Sequence, residues 1–202
     1  MTKDMTSGNP LKMILFFSFP VLLGNIFQQF YNMVDTIIVG QYLGEEALAA
    51  VGSTGCLMFL VLGFANGIAQ GFGVMISHAF GAKDFKLLKH YVALSLMLTL
   101  IVSVILTIPT VAASKAFLIL MKTPDNILGL ADSYIKVIFA GIILTMSYNV
   151  ASGILRGIGD SKTPLYFLIL SSVLNIGLDL FFIIVVKLGT AGAAYATIIA
   201  QG

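Results

Sequence analysis

Residues 25–35 read NIFQQFYNMVD, and their spacing decides what kind of protein this is. Asn25, Gln28, Gln29, Asn32 and Asp35 recur at steps of three and four, so a helix would gather them on one face. Between them stand Ile26, Phe27, Phe30, Met33 and Val34. A helix that is apolar around most of its circumference and carries one polar stripe must, in lipid, turn that stripe toward protein or water.

The surroundings of this stretch are as apolar as its flanks. Hydrophobic residues make up 58% of the 202 residues and charged residues 10%, and the mean hydropathy is +1.02. Soluble domains carry about 25% charged residues. Apolar runs of roughly 20 residues mark membrane-spanning helices. They predict five complete spans and a sixth begun, at about 11–43, 48–78, 87–113, 131–155, 165–187 and 191–202. The expected fold is therefore all-α, a polytopic membrane helix bundle, with residues 1–202 forming one bundle and no soluble domain. The first segment is too long and too striped to be a cleavable signal peptide. The single Cys56 excludes an internal disulfide and reads as a small apolar packing residue.

The positive residues give the bundle a direction. Alternating connections place Lys3, Lys12, Lys83, Lys86, Lys89, Arg156 and Lys162 on one side, and Lys115, Lys122 and Lys187 on the other. That excess puts the amino terminus in the cytoplasm of a multi-pass protein of the plasma (inner) membrane. Glycines of the second span (Gly52, Gly55, Gly63, Gly67, Gly71 and Gly73) and AGAAYA in the sixth suit close helix contact in lipid.

Among the acids, Asp35 and Asp179 alone lie well inside apolar segments. A charge there costs roughly 3 kcal/mol or more, which makes each a functional candidate with a partner to be found. Helical rise puts Asp179 roughly 22 Å above the start of its span and Asp35 roughly 12 Å below the end of its own. Both levels fall in the outer half of a hydrocarbon layer of about 30 Å. Thr197 reaches a similar level, and Asn175 shares the face of Asp179. Two carboxylates at one depth in low dielectric cannot both stay charged unaided: one keeps a proton, or a cation sits between them. Asp35, Asn175, Asp179 and Thr197 offer only oxygen ligands to a metal, which suits a proton or a hard monovalent cation such as sodium. Asn66 and Gln70 share a face in the second span and line the same cavity or bond to neighbouring backbone. GIGD at 157–160 lacks the strand and the full glycine spacing of a nucleotide loop.

These features in order resemble the amino-terminal half of the multidrug and toxic compound extrusion (MATE) transporters. They are Pro20 followed by the Gln28-to-Asp35 polar face, SHAFGAKD (77–84), LRGIGDSKTP (155–164), and Asn175 with Asp179. The resemblance implies the amino-terminal six-helix lobe of a twelve-helix protein, its sixth helix incomplete and its second, carboxy-terminal bundle missing. It further implies a cation site in which Tyr134 and Asn149 (or Ser152 in place of Asn149) join Asp35, Asn175, Asp179 and Thr197. Gln28 and Tyr31, with Asn32 on the same stripe, would line a substrate cavity, and Pro20 would let the first helix bend. The expected function is export of organic cationic or amphipathic compounds such as drugs, by antiport against protons or sodium, with the lipid bilayer as the medium and no cofactor and no nucleic acid. The alternatives are a lipid-linked oligosaccharide flippase of related fold, which would need cationic residues in its cavity, and a passive channel. An enzyme is not expected, because the helices offer no buried histidine cluster and no serine activated by a base.

Overall fold

The computed structural model describes residues 10–202. The order is α1 (Pro10–Leu43), α2 (Glu45–Gly81), α3 (Phe85–Leu120), α4 (Asp125–Ala140), α5 (Ile142–Gly157), α6 (Lys162–Leu180), a π-helical turn (Phe181–Val185) and α7 (Thr190–Gln201). No strand occurs among the described residues. Four helices are long and apolar enough to cross a membrane, and the α4–α5 pair, bent by 48°, brings the number to five. Lys3 lies outside the described residues.

The connections follow from local chemistry. Gly44, with φ 86°, supplies the left-handed residue that lets α2 turn straight back on α1. Asp84 opens α3 by accepting the Leu87 amide at 2.9 Å, as an N-cap does. α1 runs through Pro20 without interruption.

The stretch expected as one span over 131–155 is divided at Gly141. A Cβ built there would lie 2.4 Å from two side-chain carbons of Ile198 on α7, so only glycine admits α7 at this point. The Thr107 hydroxyl on α3 donates to the Phe139 carbonyl at 3.3 Å beside the break. That satisfies one of the carbonyls a helix end leaves open.

Helices α2 and α5 meet through glycine. A Cβ on Gly73 would sit 3.4 Å from the Gly153 carbonyl oxygen, and one on Gly157 would sit 3.1 Å from that of Gly73. The other glycines of α2 depart from the expected role in close contact, since a Cβ built on Gly52, Gly55, Gly63, Gly67 or Gly71 would meet no neighbouring element within 4 Å. Cys56 is also exposed rather than packed. The apolar core is built by Val39, Ala50, Ile135, Phe139, Ile142, Met146 and Ala193, all buried, with α7 seated between α4 and α6.

Candidate functional site

The polar stripe of α1 divides when α1 packs against α6. Tyr31 is buried and Gln28 and Asp35 are half-buried, whereas Asn25, Gln29 and Asn32 are exposed. The inward set meets α6 and α7, which carry Asn175, Asp179 and Thr197. Asn175 and Asp179 are fully buried on α6, and Asp35 and Asp179 stand close enough to interact electrostatically. Tyr31 donates its hydroxyl to Thr197 Oγ1 at 3.3 Å, and Asn175 Nδ2 reaches the same oxygen at 3.5 Å. Thr197 in turn donates to the Ala193 carbonyl of its own helix at 3.0 Å. Tyr134, buried on α4, stands close enough to interact electrostatically with Asp35, Tyr31 and Asp179.

Four buried oxygens in this cluster have no hydrogen-bond partner: Asp35 Oδ1, Asn175 Oδ1, and both carboxylate oxygens of Asp179. A buried polar atom without a partner costs roughly 1–3 kcal/mol, so these four oxygens are open to a proton or a small cation. The donor set is oxygen alone, with two acids, an amide carbonyl and a hydroxyl nearby. No group of three or more His, Cys, Asp or Glu side chains that could hold a metal occurs among the described residues. The geometry therefore fits one small positive charge, a proton or a monovalent hard cation.

The remaining expected site residues lie elsewhere. Asn149 donates Nδ2 to the Thr145 carbonyl at 2.8 Å. Together with Gln28, Asn25, Tyr148, Ser152 and Arg156 it lines a separate cavity of about 140 Å³ between α1, α5 and α6. Gln28 Nε2 also reaches Asn32 Oδ1 at 3.4 Å. On α2, Asn66 is half-buried and Gln70 exposed. Tyr31, expected in the substrate cavity, has its hydroxyl committed to Thr197 and belongs to the acid cluster. Its spacing of four from Asp35 is the signal that could have placed it there. Two contributors escaped the sequence reading: Gly141, which admits α7, and Gln201, whose Oε1 accepts from the Thr145 hydroxyl at 2.8 Å one turn from Thr197.

The acid of the α5–α6 connection contrasts with these. Asp160 Oδ1 accepts the Thr163 and Lys162 amides, each at 3.1 Å, and Oδ2 accepts the Thr163 hydroxyl at 2.8 Å. Those bonds, led by the Thr163 amide, hold its carboxyl well below the ordinary range, at about 2.

Helices long and apolar enough to cross a membrane thus bring two acids together in the interior of the bundle. Residues 20–181 match the MatE family model, and the chain belongs to that family. It is 37% identical over 199 residues to the probable multidrug resistance protein YpnP of Bacillus subtilis, covering 98% of this chain and 45% of the relative. A MOP superfamily transporter from Pyrococcus furiosus superposes with a TM-score of 0.91 at 35% identity, over 98% of this chain and 44% of that one. An outward-facing multidrug resistance MATE transporter superposes with a TM-score of 0.90 at 34% identity, over 100% of this chain and 45% of that one. The chain thus corresponds to the amino-terminal half of these proteins and spans less than half their length.

Proposed function

We propose that this chain is the ion-binding lobe of a secondary active exporter of organic cationic or amphipathic compounds, drawing on a proton or sodium gradient. The observation that carries the reading is the set of four buried oxygens on Asp35, Asn175 and Asp179 without partners. A structural polar cluster satisfies itself, and a site built to exchange a charge leaves its ligands open. Asp35 on α1 and Asp179 on α6 would share the ion, with Thr197, Tyr31 and Tyr134 completing the shell. Loading would remove the repulsion between the two acids and let α1 seat more tightly on α6; release would loosen it. A ligand that favours one arrangement of α1 shifts an alternating-access equilibrium between outward and inward states. The second lobe, supplied by the remainder of a full-length transporter, would close the substrate cleft against the exposed Asn32 and Gln70. On this reading the basic end, with Lys83, Lys86, Lys89, Arg156 and Lys162, faces the cytoplasm of a plasma membrane.

The test uses the complete transporter in inside-out vesicles loaded with a fluorescent cationic dye outside. An imposed proton or sodium gradient should drive dye uptake against its concentration, and Asp35→Asn should abolish it. Dye movement indifferent to both gradients and to the substitution would overturn antiport in favour of a channel.

A further inference from the structure

Helices α1 and α6 both start at the basic end and pack side by side, and a groove of about 700 Å³ lies between their first turns. Its walls are apolar, and Leu15, Phe16, Phe19 and Tyr166 are each more than half exposed. Two lysines stand at one end of it, Lys12 near the start of α1 and Lys162 at the start of α6. Lys162 Nζ reaches over the groove to within 5.7 Å of the centre of the Phe16 ring. Among the described residues no acid lines the groove. Asp160, the acid nearest Lys162 in sequence, is buried and accepts the Lys162 and Thr163 amides.

Two other grooves of the bundle lack this charge. One lies further along α1, against Leu22, Ile26, Phe30 and Met33. The other lies between α5, α6 and α7, against Leu144, Phe167 and Leu174. Neither has a charged side chain in its lining. The charged groove also has a telling depth. From Lys12 it follows α1 as far as Leu23, a helical rise of roughly 16 Å. That is half of a hydrocarbon layer of about 30 Å, the thickness of one leaflet. Tyr166 lies one turn inside Lys162, where an amphipathic ring belongs at the headgroup boundary.

We propose that an anionic phospholipid of the leaflet at the basic end occupies this groove. Its phosphate sits between Lys12 and Lys162, and one acyl chain runs along Phe16, Phe19 and Leu23. Basic pockets between spanning helices select anionic headgroups in this way. A zwitterionic lipid brings its own ammonium to the same two lysines and loses the preference. The bound lipid ties the start of α1 to the start of α6. The groove shares no residue with the acid cluster, so the site stands whether or not an ion drives transport.

The test uses the complete transporter in vesicles, with any tryptophan outside these 202 residues replaced by phenylalanine; within them there is none. Phe19→Trp then places a single fluorophore in the groove, and quenching by brominated phosphatidylglycerol is compared with quenching by brominated phosphatidylcholine. Phosphatidylglycerol should be preferred at position 19 by at least about tenfold. Lys12→Gln with Lys162→Gln should abolish the preference, and Lys12→Arg with Lys162→Arg should keep it. Lys86→Gln with Lys89→Gln, exposed at the basic end but outside the groove, should leave it unchanged. Equal quenching by the two lipids, or a preference that survives loss of Lys12 and Lys162, would overturn the site. Loss of preference on changing Lys86 and Lys89 would overturn it in favour of a diffuse surface potential. Absence of quenching at position 19, while Ile105→Trp on the exposed face of α3 is quenched, would show the groove filled by the second lobe. Displacement of the lipid by excess inorganic phosphate would give the lysines to a free anion, and either result would sink the proposal.

Discussion

Asp160, in the α5–α6 connection, and Asp179, inside an apolar segment, are both buried aspartates, and they are treated in opposite ways. Among the described residues Asp160 has three donors on its two oxygens within one turn of chain. Asp179 has none on either. The first is a fastener: its bonds begin α6. The second is left open at a cost that stability alone would remove. Whether a buried acid is fastened or open therefore separates structure from function better than its burial does.

Neutralising the open acids should have the largest effect and should break the pair of roles apart. Asp35→Asn or Asp179→Asn is expected to lower ion-driven dye export by about a hundredfold, or about 3 kcal/mol, measured in inside-out vesicles. The same variants should hold or raise the thermal midpoint of the detergent-solubilised transporter, because removing a buried charge that lacks a partner is neutral or stabilising. A marked fall in the midpoint would make the acids fasteners after all.

Next in size is Gly141→Ala. The new methyl would meet Ile198 at 2.4 Å, and overpacking of this kind costs about 1–3 kcal/mol. The midpoint should drop accordingly, and Ile198→Ala in the same chain should recover part of the loss. Failure to recover would show that the bend, and not the seat of α7, is what the glycine serves.

Asp160→Asn should cost about 1 kcal/mol, the worth of a good N-terminal cap, with export per folded molecule unchanged. The sign of its pH dependence follows from a folded value depressed from 3.8 to about 2. Its contribution is fully present above the unfolded value and is lost as pH falls through the folded one. The midpoint of the wild type should therefore fall more steeply than that of Asp160→Asn between pH 4 and 2. Smallest of all is Lys136→Met. The Lys136–Asp132 pair at 2.6 Å is half-exposed on its lysine side, and such pairs contribute about 0–1 kcal/mol, so urea midpoints should barely move.

Much of this was readable from residues. Apolar runs located the helices, and depth arithmetic brought Asp35, Asn175, Asp179 and Thr197 to one level, because the rise of a helix is fixed. The break at Gly141 was not readable, since a glycine inside an apolar run looks the same whether it packs, bends or faces lipid. The π-helical turn over 181–185, two residues beyond Asp179, has no composition of its own. Five glycines of α2, all but Gly73 among those expected in close contact, misled for a related reason: sequence shows where a close approach is allowed, not whether a neighbour takes it. Asn149 is a case sequence leaves open, because an amide can give its Nδ2 to a carbonyl one turn back on its own helix, as it does at Thr145.

Helix α3 carries a buried seam of Ser95, Thr99, Ser103, Thr110 and Ser114. The first four give their hydroxyls to carbonyls three or four residues earlier in the same helix, and only Ser114 reaches across, to Asp132 at 2.7 Å. Hydroxyls closed on their own helix are satisfied before any neighbour arrives. This segment can therefore enter the bilayer as a finished unit during synthesis and wait there. Its later docking against α2, α4 and α5 adds to the bonds of Thr107 and Ser114 to α4 the fit of small side chains that let backbones come close.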